Sequence, residues 1–111
     1  MKIAKFLLIL VYLLTLSLQS LIADDAKMKK GLEIFNETAG CAGCHALKAA
    51  GAEANIGPNL DTVSLTEELV KEMVTYGLGV MPAYGEGILT KEEIDIVSFY
   101  VANSAGKWIV F

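Results

Sequence analysis

Both cysteines and the single histidine of the 111-residue chain fall in one run, Cys41-Ala42-Gly43-Cys44-His45. A C-x-x-C-H run reads as a c-type haem attachment site, and its spacing has a physical reason. Residues three apart share one face of a helical turn, so Cys41 and Cys44 can both reach the vinyl groups along one haem edge and form thioethers. His45 then falls beneath the ring, where a neutral imidazole nitrogen can ligate iron. Ala42 and Gly43 are small, which lets the backbone approach the haem edge. Three other chemistries use similar residues. A structural disulfide would close a tight four-residue ring, and small disulfide scaffolds usually carry more cysteines. A zinc site needs four N, S or O ligands, and no further Cys or His exists. A thioredoxin-like redox pair expects a βαβ setting, and the chain has no alternating strand pattern.

A second candidate ligand lies in Gly77-Leu78-Gly79-Val80-Met81-Pro82-Ala83-Tyr84-Gly85. Met81 belongs to no periodic apolar stripe. Pro82 biases it towards extended geometry, and the flanking glycines let the loop lie against a flat group. A thioether held this way can be the sixth iron ligand. Taken alone, Met81 could equally fill a gap in a loop; the upstream C-x-x-C-H tips the balance to a ligand. Met28 lies on an apolar helical stripe and reads as core.

The elements that must position these residues are helices. Met28, Gly31, Leu32 and Phe35 fall at i, i+3, i+4 and i+7, predicting a helix from Ala26 to about Glu37, with Asp24-Asp25 at its favourable end for carboxylates. Lys27, Lys29 and Lys30 lie mostly off that stripe and read as a solvated face. Gly31 costs ~1 kcal/mol against alanine in mid-helix, which predicts close approach by another helix. Residues 46–59 are Ala- and Gly-rich and read as a loop around one haem edge, with a Gly57-Pro58 turn and Glu53 facing solvent. Ser64-Leu65-Thr66-Glu67 reads as a capping box for a helix with a Leu65, Leu69, Met73, Tyr76 stripe, widened by Val70 and Val74. Gly77 is its stop. Thr90-Lys91-Glu92-Glu93 is a second capping box, opening a helix to about Asn103. There Ile94, Val97 and Val101 mark the apolar stripe, with Ile96, Phe99 and Tyr100 beside it. An aromatic from this helix would answer Gly31. The apolar tail 106–111 is expected to pack on the domain or cover a haem edge. The expected class is all-α: about three to five short helices and loops around one haem.

Met1-Lys2-Ile3-Ala4-Lys5 and the apolar run from Phe6 to about Leu18 describe a secretory signal peptide, with cleavage expected after Ala23. Leu21 is large for the −3 position. The rival is an uncleaved anchor: residues 6–23 approach the ~17–25 residues of a spanning helix. An exported compartment suits cysteine chemistry of this kind. The division is then 1–23 leader and 24–111 one domain. Removing Lys2 and Lys5 with the leader leaves seven lysines against thirteen carboxylates, a formal charge of −6, and the chain has no arginine. Nucleic acid and anionic lipid are therefore poor partners, and a basic or apolar docking site suits it better. So small a domain buries little apolar surface; a covalent haem would staple it.

Read together, these residues resemble a small bacterial monohaem class I c-type cytochrome, over about Asp25 to Ala102. Gly31 and Phe35, Cys41-Ala42-Gly43-Cys44-His45, Gly57-Pro58-Asn59-Leu60, Met81-Pro82-Ala83-Tyr84-Gly85 and Tyr100 carry the resemblance. It implies one haem c, with thioethers at Cys41 and Cys44, His45 as proximal ligand and Met81 as distal ligand. It further implies that the Pro58 carbonyl accepts from His45 Nδ1, and that Gly31 and Tyr100 meet where the first and last helices cross. The apolar tail and the lack of a lysine-rich face depart from the pattern. The implied function is a monomeric periplasmic one-electron carrier rather than an enzyme. Its partners would be a quinol–cytochrome c reductase-like donor and an oxidase- or peroxidase-like acceptor. Two alternatives stand beside it: a haem subunit of a larger membrane enzyme held by the uncleaved leader, and a haem enzyme or gas sensor with displaceable Met81. The latter wants polar groups near an open iron site, and there is no second histidine and no arginine.

Overall fold

The computed structural model describes residues 1–107. Three α-helices form the frame: α1 (Lys2–Glu33), α2 (Glu67–Tyr76) and α3 (Lys91–Ser104), with short 3-10 turns between them. α1 packs on α3, and α3 packs on α2.

α1 begins far earlier than the expected Ala26. No glycine or proline occurs before Gly31, so nothing stops the apolar leader and the domain helix from joining. Asp24 and Asp25 lie within the helix instead of ahead of it. Met1 to Ala26 are all exposed, and the most apolar stretch has a mean hydropathy of 2.3. By length and composition this helix is able to cross a membrane.

The buried end of α1 follows the expected stripe. Gly31 and Phe35 are buried, and Met28 and Leu32 are half-buried against the core. Ile34 is buried as well, because the chain widens into a π-helical turn over Ile34–Thr38. That turn closes with the Ala39 amide donating to the Ile34 carbonyl at 2.9 Å. A Cβ on Gly31 would overlap Tyr100 Cβ and lie 3.1 Å from the Ile96 carbonyl oxygen. The missing side chain lets α1 and α3 cross, as the mid-helix glycine predicts. Phe35 and Tyr100 pack nearby with ring centroids 6.1 Å apart. Lys27 corrects the solvated-face reading: its ammonium lies 4.2 Å from the centre of the Phe99 ring, a cation–π contact of roughly 0.5–1 kcal/mol.

The Ala- and Gly-rich segment is not wholly loop. β1 (Ala46–Leu47) pairs antiparallel with β2 (Ala52–Glu53), Ala46 opposite Glu53 and Leu47 opposite Ala52. Two residues per strand are too few for a period of two to show. The hairpin buries Leu47 completely and leaves Glu53 exposed. It is the only strand pair among the described residues and makes no βαβ unit.

α2 differs from its expected cap and face. The Ser64–Glu67 capping box does not form; Thr66 is the N-cap, and its hydroxyl accepts from Leu69 N–H at 3.1 Å. Glu67 becomes the first helical residue, too early to reach back. The side chains buried in the core are Val70 and Val74, while Leu69 and Tyr76 of the expected stripe face outward. The helix stops at Gly77, whose φ of 69° suits a residue without Cβ.

α3 is capped as predicted. The Thr90 hydroxyl accepts from Glu93 N–H at 3.1 Å, and the Glu93 carboxylate accepts from Thr90 N–H at 2.8 Å. Such a cap contributes about 1 kcal/mol. Ile94, Val97, Tyr100 and Val101 supply the apolar core, and the helix ends one residue beyond the expected Asn103. An ion pair, Lys71 to Asp95 at 2.6 Å, joins α2 to α3. Of the apolar tail, residues 108–111 lie outside the described residues.

Candidate functional site

The site is built on a single 3-10 turn, Cys41–Gly43, entered through Gly40. Cys44 and His45 N–H groups both donate to the Cys41 carbonyl, at 3.1 and 3.0 Å. This closes the two thiols and the imidazole into one compact group. Neither cysteine is in a disulfide. Burial pushes the Cys41 thiol up to about 11, with the Cys44 charge adding to the rise. Cys41 is therefore a protonated thiol at neutral pH.

His45 is held from the far side of the sequence. Its Nδ1 lies 2.8 Å from the Pro58 carbonyl oxygen. A carbonyl can only accept, so Nδ1 carries the proton and the Nε2 lone pair is left free for a metal. Two further bonds run between the same two segments with the same offset of thirteen residues. Gly57 N–H donates to the Cys44 carbonyl at 2.7 Å, and Lys48 N–H donates to Asp61 Oδ2 at 2.8 Å. Gly57 also lies flush against the imidazole, since a Cβ there would come within 2.6 Å of His45 Cε1.

Asp61 is a residue that sequence reasoning did not single out. Its Oδ1 accepts from Gly106 N–H at 2.9 Å while Oδ2 holds Lys48. Its own amide donates to Asn59 Oδ1 at 3.0 Å, an Asx turn that fixes the carboxylate's direction. One side chain thus ties the segment after His45, the Pro58 loop and the turn after α3. The signal available was the Asn-x-Asp spacing, which marks a turn but not what the turn reaches.

Met81 comes from the opposite wall. Leu78 and Met81 exchange backbone hydrogen bonds at 3.2 and 3.0 Å, giving the loop a tight, extended pairing. Tyr84 N–H donates to the Val74 carbonyl at 2.9 Å and Gly85 N–H to the Thr75 carbonyl at 3.1 Å, fastening the loop to the end of α2. The Tyr84 hydroxyl donates to the Ala39 carbonyl at 3.2 Å. Burial raises the Tyr84 pKa, with Cys41 and Cys44 adding to it.

Between these walls lies a cavity of about 320 Å³, and Cys41, Cys44, His45 and Met81 all line it. The structure therefore brings together the four residues singled out from the sequence. The rest of the lining is mostly apolar: Phe35 from the π turn, Leu65, Val70 and Met73 around α2, Val97 and Val101 from α3. Leu65 and Met73 of the α2 stripe thus face the cavity. Two thiols on one edge, an imidazole with a free Nε2 and a thioether, within apolar walls, make a donor set that fits a covalently held haem.

Comparison with known proteins agrees. A family model described as cytochrome c oxidase, cbb3-type, subunit III matches residues 26–101. The chain is 34% identical over 99 aligned positions to a cytochrome c6 from Picosynechococcus sp., covering 78% of this chain and 82% of that one. The fold is similar to the crystal structure of the c-type cytochrome SorU from Sinorhizobium meliloti, at 46% identity and a TM-score of 0.69, covering 75% of this chain and 95% of that one. The family match spans more than half of the chain, residues 41–45 and 77–85 included, and on it the chain belongs to the cytochrome c family, as a small monohaem class I c-type cytochrome with covalently bound haem c and a role in electron transport.

Proposed function

We propose that the protein is an exported one-electron carrier whose haem is attached through Cys41 and Cys44 and ligated by His45 and Met81. The observation that carries this reading is the meeting of all four side chains on one apolar cavity. When bound, the haem iron supplies reversible one-electron exchange. His45 offers Nε2 from a ring whose other nitrogen is engaged by Pro58. Met81 offers its thioether from a loop pinned to α2, and the apolar walls keep water from the centre. If His45 and Met81 both held the iron, no position would be left for a substrate, and the protein would act as a carrier and not as an enzyme.

The compartment proposed is the periplasm, with the leader removed after Ala23. The resulting domain carries a formal charge of −6 from seven lysines and thirteen carboxylates. Its donor and acceptor, a quinol–cytochrome c reductase-like complex and an oxidase or peroxidase, are expected to offer basic or apolar patches. Such encounters are small and transient.

A second reading is a haem subunit held at the membrane by a retained α1. Its support is the unbroken helix from Lys2 to Glu33 and the oxidase-subunit description of the matched family. Sequencing the mature N-terminus separates the two: a start at Asp24 removes the anchor, and a start at Met1 keeps it.

Met81→Ala tests the ligand assignment. Haem should remain attached while a coordination position opens. The potential should fall by on the order of 0.1 V, within the roughly 0.8 V that axial ligands command. An unchanged ligand field and potential would contradict it.

A further inference from the structure

We propose that the Tyr84 hydroxyl is a positioning group for Met81, holding the distal loop against the segment that bears Cys41 through its hydrogen bond to the Ala39 carbonyl. The inference rests on the His45/Met81 reading above and concerns how that ligation is kept closed.

The hydrogen bonds of the distal loop divide in two. Leu78 and Met81 bond to each other, Tyr84 N–H reaches Val74, Gly85 N–H reaches Thr75, and Leu89 N–H reaches the Tyr84 carbonyl. All of these tie the loop to itself, to the end of α2 or to the residues that follow. They set its shape without setting its distance from the attachment segment. The Tyr84 hydroxyl differs: it spans 45 residues of sequence to Ala39, two residues before Cys41. Ala39 is placed for this by the π-helical turn, whose closing bond uses the Ala39 amide and turns the chain towards Gly40.

Tyr84 itself lines the cavity, three residues after Met81. Its ring therefore stands between the wall that carries the thioether and the wall that carries the thiols. The hydroxyl is partly buried, so water replaces the bond poorly once it is lost. Phenylalanine keeps the ring and its packing and removes only the donor.

The experiment compares wild-type holoprotein with Tyr84→Phe, and with Tyr76→Phe, an exposed tyrosine on α2, as control. Imidazole is titrated into the ferric protein, where it must displace Met81. The methionine–iron absorption band is followed with pH, and urea unfolding is measured alongside. Tyr84→Phe should bind imidazole about fivefold more tightly, the effect of one ordinary net hydrogen bond. It should also lose the methionine–iron band at lower pH than wild type, with Tyr76→Phe unchanged. Equal imidazole affinity in wild type and Tyr84→Phe, with only the urea midpoint lowered, would overturn the proposal, since the hydroxyl would then be a structural tie alone. A wild-type protein without a methionine–iron band would overturn it together with the Met81 assignment, and the two failures are told apart by that band.

Discussion

Gly57 lies flat against the His45 imidazole, so close that a single added methyl would stand 2.6 Å from Cε1 and 2.8 Å from Nδ1. The next residue, Pro58, supplies the carbonyl that Nδ1 donates to. Adjacent residues therefore fix the ring in two ways, one by leaving room and one by a directed acceptor. Gly57→Ala should push the ring off Pro58, at a cost of about 1–3 kcal/mol for overpacking. A urea midpoint measured with the His45 Nδ1–H proton resonance checks both effects. An unchanged resonance would show that the contact is slack.

Asp61→Ala removes the acceptor shared by Lys48 N–H and Gly106 N–H. Both amides keep some access to water, so the expected loss is about 1–2 kcal/mol. Asp61→Asn retains one acceptor oxygen and should recover part of it. Urea unfolding of the three proteins tests the order wild type, Asn, Ala.

The Lys71–Asp95 pair between α2 and α3 predicts a modest acid dependence. The hydrogen bond and charge of Lys71 hold the Asp95 carboxyl below its ordinary 3.8, and Asp95 in turn raises Lys71 above 10.5. A depressed carboxyl favours the folded state above its unfolded pKa, and that share is lost as pH falls through the folded value. For the lysine the sign is reversed, and its share is lost only as pH rises past 10.5. Both side chains are partly exposed, which keeps the effect small. Urea midpoints of wild type and Asp95→Asn should differ near neutral pH and converge well below pH 3.8.

Much of this site was legible in the sequence because its chemistry is local. Cys41, Cys44 and His45 occupy one turn, and the spacing alone places them together. The capping box at Thr90 was legible for the same reason, and Gly31 announced a close crossing, whose partner Tyr100 the resemblance supplied. What was not legible depends on long-range contact or on competition between near-equal local choices. Ser64 and Thr66 both offered a hydroxyl ahead of α2, and only packing of Val70 and Val74 decides the register. The π turn at Ile34 adds one residue to a helix without any marker of its own. Asp61 and the Tyr84 hydroxyl act on residues up to 45 positions away, which no window of local pattern contains. The start of α1 escaped because no glycine or proline stands between the leader and the domain helix to separate them.

A closed His45/Met81 haem centre has its own signature in the absorption spectrum of the exported protein. It should be recorded oxidised and reduced, before and after carbon monoxide. A closed centre should give a sharp low-spin c-type spectrum, a ferric methionine–iron band and no response to carbon monoxide. A high-spin spectrum that shifts on adding carbon monoxide would contradict it, because Met81 would then leave the iron open to ligands.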